Sequence, residues 1–200
     1  MGERQVTVDG ITRTLLLPFL VTATQNPIDF QGTFPLPEAQ LDRFLLALRL
    51  GYPDPTEEDL MLRNLQRQHP IDSIQPVLDG ALLPALTAQV AEIHVDDTVR
   101  DYIIRIVGAT RQHPSLTLGA SPRGTLALFK ASQALAALRG RDYVLPDDVK
   151  YLARPTLAHR IILHPDAALR GANADQIIAQ VLNSVPLDLE SNSSEKATTP

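Results

Sequence analysis

The pattern of apolar and polar residues predicts β-structure over the first 50 positions of the chain. Two β-rich runs, residues 5–8 and 11–17, flank Asp9-Gly10, and such a pair favours a tight hairpin because both residues tolerate positive φ. Residues 19–24 form a short, apolar and partly β-branched run that predicts a buried strand, and residues 45–50 predict a second strand. The β-rich part is therefore expected to contain a hairpin and two core strands.

After about residue 55 the apolar positions recur with the period of an α-helix. One helical face is formed by Val99, Tyr102, Ile103, Ile106, Val107 and Thr110. Ser121 followed by Pro122 predicts the start of a long helix that runs to Gly140, because proline suits the first helical position. The second part of the chain is therefore expected to be a helical bundle.

Start signals predict four further helices, which begin at Pro37, Thr56, Pro146 and Asn173. The Thr56 helix should stop before Pro70. Pro155 is expected to break or kink the Pro146 helix, because proline has no backbone N–H to donate. The residues of the last two helices that should face inward are Val149, Leu152, Ala153, Ile177, Ile178, Val181 and Leu182.

These patterns divide the chain into four parts. Residues 1–52 are β-rich, residues 53–85 form a linker helix and a connector, and residues 86–188 form a helical bundle. Residues 189–200 are mostly small and polar, and we expect a disordered tail. The predicted fold class is therefore α/β followed by all-α.

The composition supports helix packing and narrows the possible functions. Aromatic residues make up 4% of the chain and there is no Trp, which favours helices over an all-β fold. The net charge is −5 with acidic and basic residues interspersed, so no basic face for nucleic acid is expected. The absence of cysteine excludes disulfides and thiolate metal sites, as is common in the cytoplasm. The apolar runs are too short for a membrane span, and the spacing of the histidines predicts no metal site.

Asn26 directly follows the strand predicted at residues 19–24, and ligands of α/β sheets sit at the carboxyl ends of strands. A side-chain amide at such a position can orient an attacking water, as a Gln does in small GTPases. The alternative is a loop residue that caps the turn before Pro27. Position alone favours this structural alternative.

Two arginines have both a structural and a functional interpretation. Arg43 is predicted on the helix that carries Glu38 and Asp42, where it forms an ion pair with one of them or reaches the γ-phosphate of a neighbouring subunit. Arg123 lies in the first turn of the predicted helix after Ser121, where a cation opposes the helix dipole. A bound phosphate would remove that conflict, since helix N-termini bind anions.

Four segments of the sequence resemble the MoxR family of AAA+ ATPases. They are ATQNPIDFQGTFPLPEAQLDRF at residues 23–44, ERQVTVDG at 3–10, VDDTVRDYIIRIVGATR at 95–111, and LGASPRGTLALFKASQALAALRGRDYVLPDDVK at 118–150. The resemblance extends over about residues 2–188. It implies an incomplete AAA+ P-loop-type α/β core followed by a helical lid. By this likeness Asn26 matches sensor 1, Arg43 the arginine finger and Arg123 the sensor 2 arginine.

One part of the family pattern is missing from the sequence. No G-x-x-x-x-G-K-[ST] occurs in the 200 residues, whereas family members carry this phosphate loop and an acidic Mg²⁺-binding strand before the hairpin. The chain thus resembles roughly the C-terminal two-thirds of an ATPase. In the family the phosphate-loop strand lies between the two predicted core strands, so we expect a poorly closed N-terminal half and a self-sufficient helical lid.

The resemblance implies an ATPase of the cytoplasm that uses ATP and Mg²⁺ when complete and assembles into a hexameric ring. Its work would be chaperone-like remodelling of client proteins or metal insertion, often with a partner that bears a von Willebrand factor A domain. The chain alone is expected to bind no nucleotide tightly and to be inactive. A non-catalytic interaction module and a magnesium-chelatase-like motor subunit remain as alternatives, and the net charge of −5 argues against a nucleic-acid motor.

Overall fold

The computed structural model describes residues 5–16, 18–25, 36–66 and 69–187. In this part of the chain the strands are β1 (Gln5–Val8), β2 (Ile11–Thr14), β3 (Leu116–Leu118) and β4 (Ile162–Leu163). The α-helices are α1 (Glu38–Leu41), α2 (Pro55–Leu65), α3 (Leu83–Ala91), α4 (Asp97–Gln112), α5 (Pro122–Leu138), α6 (Pro146–Leu157), α7 (Pro165–Leu169) and α8 (Ala174–Ser184). Short 3₁₀ turns occur at Pro70–Ser73, Gly80–Leu82 and Ala158–Arg160.

The predicted hairpin is confirmed. Strands β1 and β2 pair antiparallel, with Gln5 opposite Thr14 and Val8 opposite Ile11. The turn has φ of 51° at Asp9 and 76° at Gly10, which is the conformation that an Asp-Gly pair favours. The second strand ends at Thr14, three residues earlier than the sequence pattern indicates.

The two predicted core strands are wrong for the described structure. Residues 19–25 and 46–50 have no strand pairing, and Leu20 and Leu50 are 88% and 95% exposed. A strand is stable only when a neighbour satisfies its N–H and C=O groups. No strand pairs with these segments in the described part of the chain. Most of their large apolar residues are exposed, although Leu46 packs against the helical core.

Local signals at the helix starts were largely correct. Helix α5 begins at Pro122 with Ser121 as its N-cap, and α8 begins after Asn173 in a capping box with Gln176. Helix α2 differs from the prediction, because Asp54 rather than Thr56 is its N-cap. The Asp54 carboxylate accepts hydrogen bonds from the backbone N–H groups of Thr56 and Glu57 at 2.8 and 2.9 Å. The predicted break at Pro155 is also absent, and α6 continues for two more residues.

The hydrophobic core lies among α4, α5, α6 and α8. Every predicted core residue of α4 is buried, and Leu128, Val149 and Leu157 are fully buried beside them. The predicted inward residues of α6 and α8 are buried as well, except for the half-buried Leu182. The helical period of the sequence therefore predicted this core correctly, and the most extensive packing between two helices is that of α5 against α6.

The chain between α4 and α5 is held close to the end of α4. A Cβ at Gly119 would lie 2.5 Å from the Cα of Arg111, so only glycine allows this approach. The buried Thr110 hydroxyl accepts a hydrogen bond from Ala120 N at 3.0 Å, and Arg111 Nε donates to Ala120 O at 2.9 Å. These contacts fix the position of Ser121 and the direction in which α5 begins.

The loop between α5 and α6 is held by the fully buried carboxylate of Asp148. It accepts hydrogen bonds from Arg139 at 2.7 Å, from Arg141 at 2.7 and 2.8 Å, and from Leu145 N at 2.9 Å. A buried charge is tolerated only when it is paired in this way. Asp148 therefore acts as a structural anchor, as its position at the start of a helix indicates.

We expect Asp148→Ala to lower the free energy of unfolding by about 2–3 kcal/mol, because it leaves two arginines without their partner. This is less than for a fully buried pair, since the Arg139 side chain is 45% exposed. Asp147→Ala is the matched control: its side chain is 83% exposed, and the change should cost below about 0.5 kcal/mol. Urea unfolding measures both, and equal effects would show that the buried network adds no stability.

Candidate functional site

The segment that follows α1 lies against the end of α6. The sequence pattern predicts Arg43 on helix α1. In the structure α1 ends at Leu41, so Arg43 lies in the turn after the helix. The backbone N–H of Ala47 donates to the Pro155 carbonyl at 2.9 Å. Pro155 therefore serves as an attachment point for the segment of residues 42–47.

Arg160 is the residue that fixes this segment, and its side chain is only 2% exposed. Its guanidinium donates hydrogen bonds to the carbonyl oxygens of Asp42 and Phe44, the two residues on either side of Arg43. It also donates to the Thr156 carbonyl at 2.8 Å and to the Asp42 carboxylate at 2.9 Å. The backbone at Arg43 is thus held on both sides by one buried cation.

The neighbouring His159 adds a second contact to the same segment. Its Nε2 lies 3.1 Å from the Phe44 carbonyl, and since a carbonyl can only accept, Nε2 is the nitrogen that bears the hydrogen. Burial lowers the pKa of His159 below 6.5. The ring is therefore neutral at pH 7 and serves as a hydrogen-bond donor to the segment.

The Asp42 carboxylate connects this segment to the start of α5. Ser121 Oγ lies 3.0 Å from both carboxylate oxygens, and Arg123 donates to one of them at 3.2 Å. Burial by itself would raise the pKa of Asp42, but the hydrogen bonds from Arg160, Ser121 and Arg123 outweigh it and lower the pKa below 3.8. Asp42 is therefore ionised at neutral pH and offsets the positive end of α5.

Arg43 and Arg123 line the same shallow depression on the surface. Its walls are formed by Asp42, Arg43, Leu45, Arg123, Leu126, Ala127, Lys130 and Arg160. Arg43 is exposed and forms no ion pair with another described residue, so the expected pairing with Glu38 or Asp42 is not observed. The Arg123 side chain is 57% exposed despite its contact with Asp42, and an ion pair so exposed contributes at most about 1 kcal/mol.

The structure thus brings together two of the three predicted site residues. Asn26 lies outside the described residues, so its role as sensor 1 stays a prediction. Sequence reasoning missed Arg160, although one signal was available. Arg160 continues the buried helical stripe of Ala153, Thr156 and Leu157, and a cation on such a stripe requires acceptors from elsewhere in the fold.

The described part of the chain lacks two other kinds of functional feature. No group of three His, Cys, Asp or Glu side chains there is arranged to hold a metal ion. None of the described helices combines the length and the apolarity needed to cross a bilayer.

We expect Asp42→Ala to lower the free energy of unfolding by about 2 kcal/mol at pH 7, because it leaves the buried Arg160 without its carboxylate. Glu38→Ala removes the same charge from an exposed position of α1 and should change stability by less than about 0.5 kcal/mol. Urea unfolding of both variants provides the comparison.

The cost of Asp42→Ala should also depend on pH. Because the pKa of Asp42 is lower in the folded than in the unfolded chain, the carboxylate stabilises the fold fully above pH 3.8, and this contribution is lost as the pH falls through the lowered folded value. Wild type and variant should therefore converge in acid. If wild type and Asp42→Ala differ in stability by the same amount from pH 7 to strongly acidic pH, the pKa of Asp42 is not lowered by folding.

Two family models and several known proteins match this chain. Residues 1–46 match the model of the ATPase family associated with various cellular activities (AAA), and residues 108–181 match the AAA lid domain. Chaperone MoxR1 of Mycobacterium tuberculosis is 39% identical over 94% of this chain and 52% of its own length. The uncharacterized protein YeaC of Bacillus subtilis is 49% identical over 95% of the chain and 59% of its own length.

A solved structure gives the same result for the fold. The crystal structure of a putative ATPase from Cytophaga hutchinsonii superposes with a TM-score of 0.85 at 35% identity, over 92% of this chain and 59% of that protein. The chain spans between half and two-thirds of the length of these relatives. The matches to both AAA models, the MoxR-named relative and the shared fold show that the chain belongs to the MoxR family of AAA+ ATPases.

Proposed function

We propose that the chain provides the γ-phosphate-sensing and lid parts of a MoxR-type ATPase. The observation that supports this most is the common depression lined by Arg43 and Arg123. Two guanidinium groups that face the same space repel each other, and an anion between them replaces this repulsion with two favourable interactions. Arginine suits phosphate in particular, because its planar fork matches the phosphate oxygens.

In this proposal Arg43 acts in trans, on the γ-phosphate of ATP bound to a neighbouring subunit, and Arg123 contacts the γ-phosphate as the sensor 2 arginine. Both cations would stabilise the negative charge that develops on the phosphoryl group during transfer. Asn26 would act as sensor 1 and orient the attacking water. ATP and Mg²⁺ would be held by the phosphate loop of the complete protein, since no such motif occurs in the 200 residues.

The contacts of Arg160 support a coupling between ATP hydrolysis and movement. Arg160 lies in the 3₁₀ turn directly after α6, within the lid, and holds the backbone at Arg43. A rotation of the lid would therefore displace Arg43, and binding of phosphate at Arg43 would restrain the lid. Such a link connects the state of the nucleotide to the shape of the ring, which is the basis of mechanical work on a client.

The cellular role follows from the family. We propose a hexameric ring in the cytoplasm that remodels client proteins or assists metal insertion into them, with a partner bearing a von Willebrand factor A domain. The name of the relative Chaperone MoxR1 supports the chaperone role.

A second candidate function is a non-catalytic interaction module. It is favoured by the apolar residues exposed outside the helical core, among which Leu20, Leu50 and Val77 are 88%, 95% and 99% exposed. Apolar surface of this kind is typical of contact sites. Such a module would join a ring or bind a partner without contributing to phosphate transfer.

We expect the purified 200-residue chain to show no ATP hydrolysis, because no phosphate loop is present to hold the nucleotide. The measurement is phosphate release at millimolar ATP with excess Mg²⁺. The Arg123→Ala variant is measured in parallel. Turnover that this variant removes would show a complete active site in the chain, and turnover that survives it would contradict the role of Arg123.

Mixing with a full-length relative, such as MoxR1 of Mycobacterium tuberculosis, tests whether Arg43 acts on a neighbour. In a mixed ring, the chain should supply Arg43 to the adjacent active site, so excess chain should leave that site active. The Arg43→Ala chain should inactivate it, since an arginine finger contributes about 10³ to 10⁵ in rate. Steady-state ATP hydrolysis should therefore fall much further with the variant than with the wild-type chain.

Lys150→Ala is the matched control for this experiment, because Lys150 lies on α6 outside the depression and pairs with Asp147. It should behave as the wild-type chain does. Equal inhibition by the wild-type and Arg43→Ala chains would favour the non-catalytic module. No effect of either chain would show that it does not enter the ring.

A further inference from the structure

Helix α5 has an unusual distribution of charge. Its 17 residues contain only two charged side chains, Arg123 and Lys130, and no acidic residue. Both of these cations line the depression that also contains Arg43. The chain as a whole has a net charge of −5, so the local excess of positive charge is not a general property of its surface.

Helical geometry directs Lys130 towards Arg123. The two residues are seven positions apart, which is close to two full turns, so they lie on the same face of α5. Side chains on a helix lean towards its N-terminus. The Cα–Cβ bond of Lys130 therefore points back along the helix towards Arg123, and Leu126 and Ala127, which lie between the two cations in sequence, line the same depression.

The side chain of Lys130 makes no stabilising polar contact with the described residues. It is exposed and forms no ion pair or hydrogen bond with any other residue that the structure describes. The positions three and four residues away on α5 bear no carboxylate, so the usual stabilising pair on a helix surface cannot form. The carboxylate that lines the depression, Asp42, is already bound by Ser121, Arg123 and Arg160.

We propose that Lys130 is a third phosphate-binding cation of this site, which makes the depression selective for a polyphosphate over a single phosphate. Arg43 and Arg123 would bind the terminal phosphate group, and Lys130, two turns further along α5, would contact a phosphate group further along the polyphosphate. This inference rests on the proposed function, because it adds a residue to the same phosphate site. The ligand class is the polyphosphate part of a nucleoside triphosphate, or a free inorganic polyphosphate.

Titration calorimetry of the full 200-residue chain with sodium tripolyphosphate at low ionic strength tests this inference. Orthophosphate is titrated in parallel. We expect Lys130→Ala to weaken tripolyphosphate binding about three- to tenfold and to leave orthophosphate binding unchanged, as for the loss of one exposed charge contact. Lys130→Arg should keep the wild-type affinity, because it preserves the charge and the reach of the side chain.

The controls separate this inference from the proposed function. Lys150→Ala removes the same charge from α6 and should not alter binding. If Arg123→Ala weakens tripolyphosphate binding while Lys130→Ala does not, the role of Lys130 is wrong and the phosphate site stands. Equal weakening by Lys130→Ala and Lys150→Ala would also overturn the role of Lys130, since only net charge would then matter. If the wild-type chain binds no tripolyphosphate at millimolar concentration, the role of Lys130 is wrong, whereas the role of Arg43 is tested independently by the mixed-ring experiment.

Discussion

The burial of Arg160 is the constraint on which the arrangement of the site depends. A guanidinium that is 2% exposed must find acceptors, and the acceptors that this fold provides lie mainly in a segment more than a hundred residues earlier in the chain. Satisfying Arg160 therefore requires residues 42–44 to lie against the end of α6. The position of Arg43 follows from this requirement, and Asp42 extends it to Arg123. The buried Arg160 thus determines where the exposed Arg43 and Arg123 lie relative to each other.

The way Asp42 is shared allows Arg123 to change partners at little cost. Arg160 and Ser121 remain on the carboxylate when Arg123 leaves it, so no buried charge loses all its partners. The contact between Arg123 and Asp42 is also largely exposed and therefore weak. In the proposed function, a phosphate would therefore take Arg123 from Asp42 without removing the contacts of Arg160 and Ser121. The buried contact of Arg160 and the exposed contact of Arg123 thus share one carboxylate but differ in strength.

Sequence reasoning succeeded where the determining interactions are local. The buried face of α4, the start of α5 at Ser121 and the turn at Asp9-Gly10 all depend on residues within one or two turns of each other. Sequence reasoning failed where a residue or strand depends on a partner that is distant in the chain. The runs at residues 19–24 and 45–50 have strand propensity, but strands form only beside other strands. Arg160 was missed for the same reason, since its partners are remote in sequence.

The site also shows why single residues were poor evidence for function and their combination was better. Considered alone, the position of Arg43 predicts a surface ion pair, and the position of Arg123 predicts an unfavourable cation at the start of a helix. In the structure the ion pair to Arg43 does not form among the described residues, and Arg123 has only a weak, exposed partner. Both cations face one depression whose carboxylate is held by a third, buried arginine. A phosphate bound between them, as proposed, would offset the cost of placing like charges together, and the contacts of Arg160 would carry its effect into the lid.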